Sequence, residues 1–186
     1  MDRAIVLGDS PFLNEVEHVL HYVLDKNYVI GINSVIKKCR IDLHAFTDTG
    51  LLKVTNAYPN IPSLTLYSYG ALVRKSKKIL LNTFTYKHDY CVEKEGKLAW
   101  CGFTHDYVMS YLITQGVKEI ILLGAADFIE GKHYSNNWDF KRSKNLEEKS
   151  KRLIKDCCDT YCTIKTCNPN AIIEGVEYIP IESLLS

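Results

Sequence analysis

Residues 4–7 (AIVL) and 120–123 (IILL) are apolar at every position. A strand with one wet face alternates apolar and polar side chains, so an unbroken apolar run marks a strand covered on both faces. That constraint excludes a simple one-sided sheet and calls for helical layers above and below. The chain supplies them, because helix-period segments stand between the strand-like runs. AIVLG (4–8) reads as a strand, and Leu13, Val16, Val19, Leu20, Val23 and Leu24 recur at helical spacing over 13–24. YVIGIN (28–33) and IDLHAFTD (41–48) follow as strands, with SVIKKC between them as a short helical turn. SLTLY (63–67) and KKILLNTF (77–84) are further strands.

Residues 85–103 have no clear period and read as a long loop or lid. THDYVMSYLITQG (104–116) is a helix, with Thr104 expected as N-cap and Gly116 as its stop. KEIILLG (118–124) is a strand, 126–145 a polar connection, 146–158 a charged helix and TYCTIKTC (160–167) a final strand. Strand–helix alternation of this kind predicts an α/β fold, a Rossmann-like, mainly parallel sheet with helices on both faces. The 186 residues fit a single domain, 1–186, with no repeat or linker.

Charge narrows the partners. Lys and Arg number 23 and Asp and Glu 22, a formal +1, so no global field favours nucleic acid or an anionic membrane. No stretch is apolar enough to span a membrane and no signal peptide is evident, which makes the expected location cytoplasmic. Seven cysteines in a reducing compartment are expected as buried thiols. Cys157, Cys158, Cys162 and Cys167 lack paired zinc-ligand spacing.

In a parallel sheet the ligand sits beyond the carboxyl ends of the strands. Gly8-Asp9-Ser10, Asn33-Ser34, Thr47-Asp48, Gly124 to Asp127 and Asn168-Pro169-Asn170 all follow strands and are expected to share one crevice. Gly8, Asp9, Ser10 and Pro11 open the first helix, where free amides would attract a phosphate. A tight turn capped by Ser10, with Pro11 at the first helical position, fits the same residues. Asn33 can donate to and accept from a sugar or base. Asp48 and Asp127 are acids that could hold Mg²⁺. His105, His133 and Tyr134 are candidates for acid–base work. Lys132, Lys141, Arg142 and Lys144 supply local positive charge.

The strings VLGDSPFL, GINSV, CGFTHDYVMSYLITQGVKEIILLGAADF, HY, KRSKN and CNPNAII occur in this order. Together they resemble the motif order of the small bacterial sialyltransferases of glycosyltransferase family 42. They are also similar to the related MptE-like 6-hydroxymethylpterin diphosphokinases. The first resemblance implies a CMP-sugar donor, inverting transfer to an acceptor and no required cofactor or metal. It implies nucleotide contacts from Gly8, Ser10, Asn33, Gly102, Phe103 and Thr104, with Tyr134 on the leaving phosphate; Asp9, Gly124 and Asp127 join the expected contacts by their place after strands. The family's base is a His in H-S-K-N, where this chain has Arg142-Ser143-Lys144-Asn145. An arginine cannot take a proton, so His133 is the expected substitute. The second resemblance implies Mg²⁺ and ATP on Asp48 and Asp127, although Thr47-Asp48-Thr49-Gly50 lacks one acid of that family's string. A nucleotide-binding protein without chemistry is the remaining reading. The expected partners are a nucleotide or nucleotide-sugar and a small-molecule or glycan acceptor, with homo-oligomerisation left open.

Overall fold

The computed structural model describes residues 1–66, 68, 71–73, 77–86, 91–129, 131–132, 134–135, 139–140 and 143–185. In chain order the strands are β1 (Arg3–Leu7), β2 (Val29–Ile32), β3 (Leu43–Phe46), β4 (Ser63–Leu66), β5 (Lys78–Thr85), β6 (Glu93–Lys94), β7 (Lys97–Trp100), β8 (Glu119–Leu123), β9 (Gly131–Lys132), β10 (Asp139–Phe140), β11 (Thr163–Thr166) and β12 (Glu177–Tyr178). The helices are α1 (Glu17–Lys26), α2 (Leu52–Ala57), α3 (Thr104–Thr114) and α4 (Lys144–Thr160).

Ten strands form one sheet in the order β12-β11-β8-β1-β2-β3-β4-β5-β7-β6. Every pairing is parallel except β6 with β7. The chain runs outward from β1 through β2, β3 and β4, then returns to place β8 on the other side of β1. Ile5 therefore sits between Val29 and Ile121. This reversal between β1 and β8 is the topological switch point, where neighbouring loops leave in opposite directions and open a crevice.

The apolar runs are explained by two covering layers. Ala4 and Val6 face one side, with Ile30, Ile120 and Leu122, against Tyr107, Val108 and Leu112 of α3 and Leu153, Ile154 and Cys157 of α4. Ile5 and Leu7 face the other, with Val29, Ile121 and Leu123, against Leu20, Val23 and Leu24 of α1. Ile181 and Leu184 of the 3₁₀ turn Ile181–Leu185 close that second layer. Each fully buried aliphatic side chain contributes about 1.5–3 kcal/mol before chain entropy is counted. All seven cysteines are free thiols, and Cys39, Cys101, Cys157, Cys162 and Cys167 are buried. Burial pushes the Cys101, Cys162 and Cys167 thiols up to about 12. Among the described residues no helix is long and apolar enough to cross a membrane.

Three local expectations are corrected. The first helix does not start at Leu13: a 3₁₀ turn, Pro11–Asn14, comes first and α1 begins at Glu17. The segment 85–103 is not simply an irregular lid. Residues 87–90 lie outside the described residues, but β6 and β7 form a hairpin and β7 extends the sheet by pairing with β5. The short helix α2 has no counterpart in the expected pattern.

Candidate functional site

Above the switch point lies a cleft of about 590 Å³, open to solvent. It is lined by Asp9 and Ser10 after β1, Ile32 and Asn33 at the end of β2, Phe103, Thr104 and His105 at the start of α3, and residues 124–129 after β8. Of the expected nucleotide contacts, Asp9, Ser10, Asn33, Phe103, Thr104, Gly124 and Asp127 share this one cleft. Gly8, Gly102 and Tyr134 are not among its lining residues. Gly8 packs against the Gly124 backbone, and Gly102, at φ 130°, packs beside Leu146 of α4.

The first turn, where a phosphate was expected, spends its own amides on the fold. The Gly8 amide donates to Leu123 O at 2.9 Å and the Ser10 amide to Gly124 O at 3.2 Å. Ser10 Oγ caps the Phe12 amide at 3.2 Å, and Leu13 N donates to Ser10 O at 3.1 Å. Pro11 has no N–H. Of the residues expected to offer free amides, Gly8 and Ser10 are therefore bonded within the fold and Pro11 has no N–H, and a 3₁₀ turn, Pro11–Asn14, follows them directly.

Asp9 is a clamp. It is 7% exposed, accepts from Ser34 Oγ at 2.5 Å, and accepts from the Ser135 amide and hydroxyl at 2.6 and 2.7 Å. Its carbonyl oxygen accepts from Tyr134 N at 3.0 Å. These bonds tie the connection after β8 to the β1 turn. Tyr134 is also engaged within the fold. Its hydroxyl donates to Glu17 Oε1 at 2.9 Å, Lys38 Nζ stands 4.2 Å from its ring centre, and it belongs to the α1 layer. Burial and the nearby Glu17 carboxylate push its phenol well above the usual range. It braces α1 from outside the cleft lining.

Asn33 adopts φ 56°, a left-handed conformation that Asn tolerates better than most residues. Its side chain is aimed by Thr104, whose hydroxyl donates to Asn33 Oδ1 at 3.1 Å. That uses the only proton on Thr104 Oγ1, so Thr47 Oγ1, 3.1 Å away, donates to it. Below, His44 Nε2 donates to Asn33 O at 2.6 Å. Burial lowers His44 to about 4, which keeps the ring neutral, and its Nδ1 lies 3.3 Å from Thr55 Oγ1. Asn33 Oδ1 is thus occupied, leaving the Asn33 NH₂ as the side chain's donor at the cleft.

Helix α3 brings its N-terminus to the cleft. Asp106, fully buried, reaches back to accept from Phe103 N at 2.9 Å and Cys101 N at 3.1 Å. Phe103, not Thr104, is therefore the N-cap residue, because the Thr104 hydroxyl is committed to Asn33. The amides of Thr104 and His105 have no partner within the helix. Asp106 also accepts from Ser150 Oγ, which in turn accepts from His105 Nε2 at 2.9 Å. Burial lowers the His105 pKa while Asp106 opposes the shift. His105 stacks on Phe103 with ring centres 5.2 Å apart. It is a packed, neutral ring whose Nε2 is committed.

The loop after β8 is strained. Gly124, Ala126 and Phe128 have φ of 64°, 58° and 53°, and left-handed backbone costs a non-glycine residue about 1–2 kcal/mol. Between the last two stands Asp127, 8% exposed, with neither carboxylate oxygen hydrogen-bonded among the described residues. Desolvation raises its pKa to about 6, with Asn168 and Ser10 pulling the other way. The Asn168 Nδ2 is likewise buried and without a partner. Backbone strain around an unsatisfied acid is the kind of local conflict that collects at functional sites.

Of the other candidates, His133, Lys141 and Arg142 lie outside the described residues. Of Lys132 only the backbone, in β9, is described, and Lys144 is exposed at the start of α4. Asp48 is exposed, accepts from Gly50 N at 2.7 Å and is not among the cleft residues. The sequence reading missed His44 and Ser135, and named Ser34 only by its place after β2. His44 carried a usable signal, a titratable ring inside an apolar strand, whereas the partners of Asp9 had none.

Comparison with known proteins finds no matching family model, no matching curated relative and no matching solved structure.

Proposed function

We propose that the chain is a nucleotide-sugar-dependent transferase of the sialyltransferase type, taking a CMP-sugar in the cleft and passing the sugar to a hydroxyl-bearing acceptor. The observation that carries this reading is the convergence of Asn33, Thr104 and Asp127 on one cleft at the β1–β8 switch point. The first amides of α3 suit a phosphate, the Asn33 NH₂ suits a carbonyl or hydroxyl oxygen, and Asp127 suits a donor. Stabilising charge on the departing phosphate falls to the Thr104 and His105 amides in this reading. The magnesium–ATP alternative drew on Asp48 and Asp127 as a pair, and only Asp127 lines the cleft.

Thermal unfolding with CMP, and with CMP-N-acetylneuraminate, in the presence of EDTA tests the proposal. A rise in Tm with both, together with CMP release from the sugar nucleotide, is the expected result. Stabilisation by ATP and Mg²⁺ alone would transfer the site to the diphosphokinase reading. CMP binding without release from any acceptor mixture would leave a binding protein.

A further inference from the structure

The strongest unexplained group in the molecule is the Asp127 carboxylate. It lines the cleft, is more than nine-tenths buried, and both oxygens lack a hydrogen-bond partner among the described residues. A buried acid left unpaired is costly, and natural structures rarely keep one without a use. The other cleft acid, Asp9, is consumed by Ser34 and Ser135. His105 Nε2 is consumed by Ser150. Asp127 is left as the cleft's open acceptor, facing a ligand class whose anionic end suits the α3 amides.

We infer that Asp127 sets the orientation of the bound nucleotide by accepting a hydrogen bond from a neutral donor on its nucleoside. That donor is either the ribose 2′-hydroxyl or the amino group of the base. The inference rests on the nucleotide reading above and deepens it. The phosphate lies at Thr104 and His105, where the helix end offers amides, and the nucleoside end lies at Asp127, where a phosphate would meet a carboxylate. Orientation follows from the sign of the two ends. In the free protein the acid has Asn168 and Ser10 beside it but neither in hydrogen-bond geometry, so the ligand supplies the well-placed donor and stability is given up for recognition.

Calorimetric titration of CMP, UMP and 2′-deoxy-CMP into the wild-type chain and D127N tests this. The expected result is CMP binding at least tenfold weaker in D127N, while the ligand-free variant melts a few degrees higher because a buried unpaired charge has gone. In the wild-type chain, weaker UMP identifies the base amino group as donor, and weaker 2′-deoxy-CMP identifies the ribose hydroxyl. If neither analogue loses affinity relative to CMP, the bond is not made and the inference falls. Equal CMP affinity in D127N overturns it while leaving the nucleotide reading intact. A D127N chain that melts lower and weakens all three ligands alike makes Asp127 a structural acid and also overturns it. Failure of the wild-type chain to bind any of the three overturns the nucleotide reading itself.

Discussion

Gly8 and Gly124 meet backbone to backbone: a Cβ on Gly8 would stand 1.9 Å from the Gly124 carbonyl oxygen and 2.7 Å from the Ala125 Cα. The Gly8 amide is bonded to Leu123 O, so the two strand ends are laced together just below the cleft. The glycine is there to let β1 and β8 diverge from close contact. Its place in the sequence suggests a ligand role, but the close contact it serves here is with the Gly124 backbone.

Gly8→Ala is therefore expected to destabilise the fold by about 3 kcal/mol, because the obstructing atoms are backbone and cannot rotate away. Urea or thermal unfolding measures it. A stable Gly8→Ala chain with weakened CMP binding would return the glycine to the ligand.

The sheet was legible because apolar runs such as 4–7 and 120–123 have only one physical home, a strand covered twice. The β6–β7 hairpin was not. Its turn is Glu95-Gly96, with φ of 52° and 71°, a geometry usually signalled by Asn-Gly or Asp-Gly. Leu13 and Val16 keep helical spacing whether the backbone is α or 3₁₀, so periodicity alone could not show that α1 starts at Glu17. At the site, the residues that follow strands were legible from topology. Their states were not: Asp9 and Asp127 both follow strands, but Ser34 and Ser135 donate to Asp9, whereas Asp127 has Asn168 and Ser10 nearby without a hydrogen bond in good geometry.

Asp106 anchors the end of α3 that borders the cleft. Its carboxylate accepts from Cys101 N, Phe103 N and Ser150 Oγ, all buried or half-buried. Asp106→Ala leaves three donors without partners, an expected loss of about 3–5 kcal/mol. Ser150→Ala removes one donor and one acceptor and should cost about 1 kcal/mol. Paired denaturant titrations check the ratio, and equal effects would mean that the helix end is held by packing alone.

Asn33 separates conformation from recognition. Asn33→Gly suits the φ of 56° and should leave stability within about 1 kcal/mol of wild type, while removing the carboxamide that Thr104 orients. Asn33→Ala also removes the carboxamide but adds left-handed strain of about 1 kcal/mol or more. Both should weaken CMP by about tenfold, the value of one good hydrogen bond. Unfolding measurements and titrations on the two variants check this, and undiminished CMP affinity in Asn33→Gly would remove Asn33 from the binding surface.

His44 and Asp127 oppose each other in pH. His44 titrates near 4 in the fold against 6.5 ordinarily. Between those values the unfolded chain holds the extra proton, so this group makes stability rise with pH, by about 1.4 kcal/mol per unit. Asp127 titrates near 6 against 3.8 ordinarily. Between those values the folded chain holds the extra proton, so this group makes stability fall with pH by a similar amount. In the shared window, pH 4 to 6, the two slopes nearly cancel. Asp127→Asn removes the falling one and should expose a rising profile over that range, steepened by His105, which burial shifts in the same direction as His44. Urea unfolding at pH 4.5, 5.2 and 6.0 (about the span of the window) reads the difference between wild type and variant. Parallel profiles would mean that Asp127 is ionised in the folded chain throughout, and that a partner satisfies it.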